Sequence, residues 1–110
     1  MRFLVTIDGS ELGAGMPPER LAQVIEQMVI PGIEKLDQWA QEGRVHGGGY
    51  TAARGGVFIM EADSSEEVDQ LVTSLPHWGL VKVDVKPLIS SGAMLERAQA
   101  MRQRLQERVR

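Results

Sequence analysis

The order of its two hydrophobic periodicities constrains this chain's fold more than any other feature. Strand-like patterns occupy residues 2–8, 44–52, 57–62 and 80–88. Helical spacing of apolar residues marks 18–42 and the stretch after Ser64, where Glu67 completes a capping box. The elements therefore follow the order β-α-β-β-α-β.

That order predicts an α+β protein of the ferredoxin-like class. We expect a four-stranded antiparallel sheet with the first and third strands central and both main helices on one face. The apolar run 57–62 favours a central strand covered on both faces. Residues 1–90 form this domain, and residues 91–110 form an additional C-terminal helix.

Two local signals refine the fold. Pro31-Gly32 lies inside the long helical pattern, and a proline there removes a backbone donor at a cost of about 3 kcal/mol. We therefore predict a kink or break near Pro31. Arg54-Gly55-Gly56 predicts the hairpin turn between the two middle strands.

One face of the predicted sheet has no cover within the chain. We expect this face to carry Leu4, Phe58 and Met60, while the helices cover the other. A second copy is the simplest cover, so the sequence predicts a homodimer or a higher homo-oligomer.

Composition excludes several classes of function. The net charge of −3 argues against a nucleic-acid partner, which needs a basic surface. No apolar run reaches the roughly 20 residues of a membrane span, so we expect no membrane partner. The chain has no cysteine, which excludes disulfides and thiolate chemistry and favours a cytoplasmic location.

The segments 41–43 (Gln-Glu-Gly) and 74–88, together with the element order, resemble the muconolactone isomerase family of dimeric α+β barrels. The resemblance covers residues 1–90. It implies a cleft between the sheet and its dimer mate, acid-base chemistry on a lactone, no cofactor and a place in aromatic compound catabolism. Its members pair a lysine of the first helix with a glutamate; Glu42 matches the glutamate, and Val29 stands near the lysine position.

The stretch 42–50 is the first candidate site. Strand alternation places Arg44, His46 and Tyr50 on one face, with three glycines following His46. An imidazole beside a carboxylate is a suitable proton shuttle, so we expect His46 and Glu42 to be catalytic. Tyr50, Arg44 and Asp8 would then bind substrate. The alternative is that His46 is a hydrogen-bonded interface residue.

His77 and Trp78 form the second candidate, in a loop after Pro76. They are expected to line the rim of the substrate pocket, where aromatic side chains stack on ligands. The alternative is that Trp78 fills the dimer interface, where tryptophan is enriched. Two histidines without a third ligand do not predict a metal site.

The sequence thus favours a small-molecule enzyme that isomerises a lactone or related ring by acid-base catalysis, without a cofactor. A non-catalytic binding or assembly module and a cofactor-free monooxygenase of the same fold remain alternatives. A cleft plugged by Phe58, Met60 or Trp78 would favour the module.

Overall fold

The computed structural model describes residues 1–109 and contains the predicted antiparallel sheet. Its strands are β1 (Arg2–Asp8), β2 (Val45–Gly49), β3 (Gly55–Glu61) and β4 (Lys82–Leu88). They lie in the order β2-β3-β1-β4, and all neighbours are antiparallel. The α+β ferredoxin-like prediction is confirmed, with β1 and β3 central.

The helices follow the predicted order, with one interruption. They are α1 (Pro18–Val24), a π-helical turn (Ile25–Val29), α2 (Ile30–Gln41), α3 (Ser65–Thr73), a 3₁₀ turn (Trp78–Leu80) and α4 (Ser91–Val109). Within residues 1–109, no helix combines the length and the hydropathy that a bilayer span requires.

The predicted interruption of the helix near Pro31 is a π-helical turn. Pro31 has no N–H, and its ring crowds the carbonyl of the preceding turn. The Ile30 N–H donates to Ile25 O, five residues back, which widens the helix directly before the proline. The chain thus continues helically from α1 into α2.

Capping sets the boundaries of two helices. Ser64 Oγ accepts a 3.1 Å hydrogen bond from the Glu67 N–H at the start of α3, as the capping-box pattern predicts. Gly43, with φ of +77°, follows α2 in the left-handed conformation that glycine adopts without strain.

The core lies between the sheet and the helices, and it corrects the predicted phase of β3. Phe3 pairs with Met60 and Val5 pairs with Phe58, so Phe58 and Met60 face the helices. The open face instead carries Leu4, Val57 and Ile59. Nearly every residue of 57–62 is apolar, so the only sign of this phase in the sequence is Glu61, which pairs with Arg2 on the open face. In the single chain, β3 is covered on one face only.

The hairpin turn also differs from the prediction. It spans residues 50–54, and the Tyr50 N–H donates to Gly55 O at 3.0 Å. Ala52 takes the left-handed position of this turn with φ of 58°, a conformation that is uncommon for residues other than glycine. Gly55 and Gly56 consequently belong to β3.

Candidate functional site

A cavity of about 600 Å³ lies between the helix face of the sheet and the helical segment 18–41. Its floor is formed by Gly47 and Gly49 of β2 and Gly56 of β3. These residues share the core-facing side of the sheet, because Gly47 pairs with Phe58 and Gly49 pairs with Gly56. No side chain projects from these glycines, so the space above them stays open instead of filling with core.

The walls of the cavity are apolar. They comprise Leu21, Ile25, Val29, Ile33 and Leu36 from the helices and Ile7, Phe58 and Val81 from the sheet side. Ile25 and Val29 are the two ends of the π-helical turn, and both line the cavity. π-Turns are frequent at functional sites. The arrangement suits a small, flat, largely apolar ligand.

His77 is the one buried polar side chain among residues 1–109, and it lines this cavity. It is only 5% exposed, and its Nδ1 has no hydrogen-bond partner in the described part of the chain. Burial lowers the pKa of His77 below 6.5, because desolvation disfavours the imidazolium. His77 is therefore neutral at pH 7 and able to accept a proton.

Gly32 fixes the position of the His77 ring. A Cβ built on Gly32 would overlap Nδ1 and Cε1 of His77, so the imidazole packs directly on the α2 backbone. The Nδ1 edge of the ring therefore faces the helix. The opposite edge, which carries Nε2, is the one left to meet a ligand.

Polar groups gather at the hairpin turn, on the other side of the cavity. Tyr50 and Arg54 line the cavity there, and Asp37 of α2 joins them. Arg54 Nη1 donates to Leu12 O at 2.7 Å, and Arg54 O accepts from the Gly9 N–H at 3.1 Å. These bonds tie the turn to the loop after β1. No carboxylate within residues 1–109 forms an ion pair with Arg54.

Two of the predicted site residues, Tyr50 and His77, line the cavity, and the other five lie outside it. His46 pairs with Ile59 and is exposed on the open face of the sheet. Glu42 is exposed at the end of α2, where its Oε1 accepts a 3.1 Å hydrogen bond from Gln38 Nε2. In the single chain these two residues are turned away from the cavity.

Arg44, Asp8 and Trp78 are also at the surface. Arg44 is exposed just before β2, and Trp78 is 47% exposed beside His77. Asp8 accepts a 2.9 Å hydrogen bond from the Ser10 N–H, and this bond holds the pKa of Asp8 below its usual value of 3.8. Its hydrogen bond to the loop after β1 gives Asp8 a structural role there.

Sequence reasoning missed Gly32, Arg54 and Asp37 as site residues. The sequence analysis considered Gly32 only as part of the helix-breaking pair Pro31-Gly32. A glycine inside a helix can also mark the place where another group packs closely on the backbone. Arg54 was assigned to a turn, and no local pattern distinguished it from a solvated arginine. Gly32 and Arg54 acquire their roles through contacts between distant parts of the chain.

The fold has known counterparts. No family model matches the chain, and no curated protein matches it in sequence. A crystal structure of muconolactone isomerase is 19% identical with a TM-score of 0.66, over 82% of this chain and 90% of that one.

A second solved structure is the 5-chloro-2-hydroxyhydroquinone dehydrochlorinase of Burkholderia phenoliruptrix AC1100 in complex with 2,5-dihydroxybenzoquinone. It is 22% identical with a TM-score of 0.57, over 84% of this chain and 98% of that one. The chain therefore has the fold of muconolactone isomerase, as the sequence resemblance implied.

Proposed function

We propose that this protein is a cofactor-free acid-base enzyme that binds a small unsaturated ring compound, a lactone or a quinone-like ring, in the glycine-floored cavity. His77 is the base. It takes a proton from a ring carbon beside a carbonyl and returns it to another carbon of the same conjugated system. The product is an isomer of the substrate, so atoms and charge balance without a further reactant.

The position of His77 is the observation that carries this proposal. A buried imidazole without a hydrogen-bond partner costs stability, because its polar atoms have left water without compensation. Buried titratable groups in clefts are typical of active sites. Here Nδ1, the atom without a partner, packs on Gly32, while the ring also borders the open apolar cavity.

The chemistry requires a neutral base and a place for the developing charge. Burial keeps His77 neutral near pH 7. Once His77 is protonated, the imidazolium and the enolate of the ring form an ion pair that is strengthened by the apolar walls. A positioned general base contributes typically about 10²–10⁴-fold to the rate.

Arg54 supplies the other end of the site. It precedes β3, whereas His77 precedes β4, and two strand spacings of about 4.8 Å separate these strands. A ring bound over the glycines would thus have His77 on one side and the guanidinium on the other. An arginine without an intrachain carboxylate partner suits a carboxylate or phenolate on the ligand.

The fold relatives support this choice of substrate. Their names include a lactone isomerase and a hydroquinone dehydrochlorinase, and the second holds a dihydroxybenzoquinone. The cavity is also open: Met60 is buried in the core, and Trp78 is at the surface. Phe58 contributes to the cavity wall, yet about 600 Å³ remains open, which supports a ligand site over a plugged module.

The test is proton exchange at carbon. A thermal-shift screen of lactones, phenols and quinones identifies a ligand, and NMR in D₂O then follows loss of its C–H signal beside the carbonyl. We expect the wild type to exchange this proton, and His77→Gln to lose about 10²-fold or more of the exchange rate while still binding.

His46→Ala is the matched control, since it removes the other histidine. Equal exchange by wild type and His77→Gln would refute the role of His77, and loss in His46→Ala or Glu42→Gln instead would support the site predicted on the open face. Binding without exchange in the wild type would identify the protein as a binding module.

A further inference from the structure

The C-terminal helix α4 has no cover in the single chain. None of its residues is buried, and Met94, Leu95, Met101 and Leu105 are each more than half exposed. At 1.5 Å per residue its 19 residues extend about 28 Å. In proteins most of the stability of a helix comes from packing of its apolar face. Its uncovered apolar stripe therefore needs a surface to pack on.

The stripe of α4 is flanked by positive charge. Ala98, Met101, Arg102 and Leu105 follow the spacing i, i+3, i+4, i+7 and share one face of the helix. Residues 91–110 contain five arginines and only two glutamates. A surface that matches this helix must be apolar along its middle and acidic at its sides.

The helical layer of the barrel offers such a surface. Residues 18–42 and 63–73 together carry nine acidic and two basic side chains. On α2, four residues repeat the same spacing: Ile30, Ile33, Glu34 and Asp37. Ile30 is 45% exposed and Ile33 is 54% exposed. This face is apolar along its middle and acidic beside it, the complement of α4.

We propose that α4 of one copy packs on the Ile30–Asp37 face of α2 in a second copy. The two stripes then bury each other, and Arg102 lies among Glu34 and Asp37 of the second copy. Ile33 and Asp37 also line the cavity, so the docked helix borders it, but the contact does not depend on the reaction proposed there. It adds a helix-to-helix interface to any association through the open sheet face.

The competing surfaces fit less well. Two α4 helices packed together would bring their arginines side by side, and like charges at such an interface destabilise it. The open sheet face has Arg2, Lys82 and Lys86 interspersed with its carboxylates, so it lacks the acidic excess of the helical layer. In its own chain, α4 leaves the end of β4 after two residues and does not fold back.

Cross-linking tests this proposal cleanly, because the chain contains no cysteine. Glu34→Cys is placed in one tagged chain and Arg102→Cys in an untagged chain, and the two full-length proteins are mixed with a short bis-maleimide. Glu34 does not line the cavity, so the substitution leaves the proposed active site intact. We expect a linked pair of one tagged and one untagged chain.

The matched control replaces Arg102→Cys with Arg104→Cys, which removes the same charge from another side of the helix. The Glu34–Arg102 pair should link several-fold more than the control. Equal yields for the two pairs would overturn the proposal. So would self-linking of Arg102→Cys chains as the main product, which would show that α4 pairs with itself.

A single chain that carries both Glu34→Cys and Arg102→Cys tests docking within one chain. If only this chain forms the link, α4 docks on its own α2 and the proposal is overturned. Far-ultraviolet circular dichroism of each variant checks that the helices are intact.

Discussion

Replacing Gly32 with alanine is predicted to separate the protein's stability from its ligand binding. The new methyl group would overlap His77 Nδ1 and Cε1, and an ordinary contact distance requires the ring to move by about 1.5 Å. The imidazole is buried between α2 and the cavity, so the movement carries it toward the ligand space. Gly32→Ala should therefore weaken ligand binding and stop proton exchange.

The expected change in the free energy of unfolding of Gly32→Ala is small. Inserting a methyl group into a packed contact costs about 1–3 kcal/mol. Alanine in place of a helical glycine recovers about 1 kcal/mol. The net loss in free energy of unfolding is thus about 0–2 kcal/mol, measured by urea denaturation. Ligand affinity is measured on the same sample by thermal shift and by calorimetry.

Gly92→Ala is the control, because Gly92 lies in the first turn of α4 and a Cβ there would meet only Ser90 Oγ, at an ordinary 3.8 Å. It should keep ligand affinity and gain up to about 1 kcal/mol of helix stability. If Gly32→Ala binds ligand and exchanges protons as the wild type does, the contact between Gly32 and His77 does not position the base. A loss of stability well above 3 kcal/mol would contradict the packing estimate.

The remaining predictions concern pH, charge and assembly. Folding lowers the pKa of His77, so below pH 6.5 the unfolded chain binds a proton that the folded chain does not. The free energy of unfolding should therefore decrease as the pH is lowered, by at most about 1.4 kcal/mol per pH unit. His77→Gln should remove this pH dependence in denaturant melts. Arg54→Gln should weaken ligands that carry a carboxylate or phenolate by about 10- to 100-fold and leave neutral ring analogues unchanged in calorimetry, and equal losses for both would contradict its charge role. The wild type should sediment as at least a dimer at micromolar concentration and Ile59→Lys should shift it toward the 12.1 kDa chain, whereas a wild type that is already a monomer would contradict assembly through the open face.

The fold was predictable because each element is signalled locally. The alternation at 2–8 and 80–88, the capping box at Ser64 and the proline at 31 all correspond to features of the structure. The phase of β3 was weakly signalled, since Glu61 is the one polar residue of 57–62 that marks the open face. Its pairing with β1 places Phe58 and Met60 inward.

The site was harder to predict because it depends on contacts between distant residues. The sequence drew attention to His46 through its neighbours in the stretch 42–50, and strand alternation correctly placed Gly47 and Gly49 on the opposite face. The glycines, however, line the cavity on the face opposite His46. Packing of His77 on Gly32, which makes His77 the stronger candidate, joins a loop to a helix far away in the chain.

The central claim is that His77, in its neutral form, is the group that meets the ligand. The chain has only two histidines, so their ring signals in NMR are assigned directly with His46→Ala. The account predicts that a ligand found by thermal shift moves the His77 signals and leaves those of His46 in place, and that free His77 titrates below pH 6.5. Ligand-dependent movement of the His46 signals alone, or a His77 that titrates above 6.5, would contradict it.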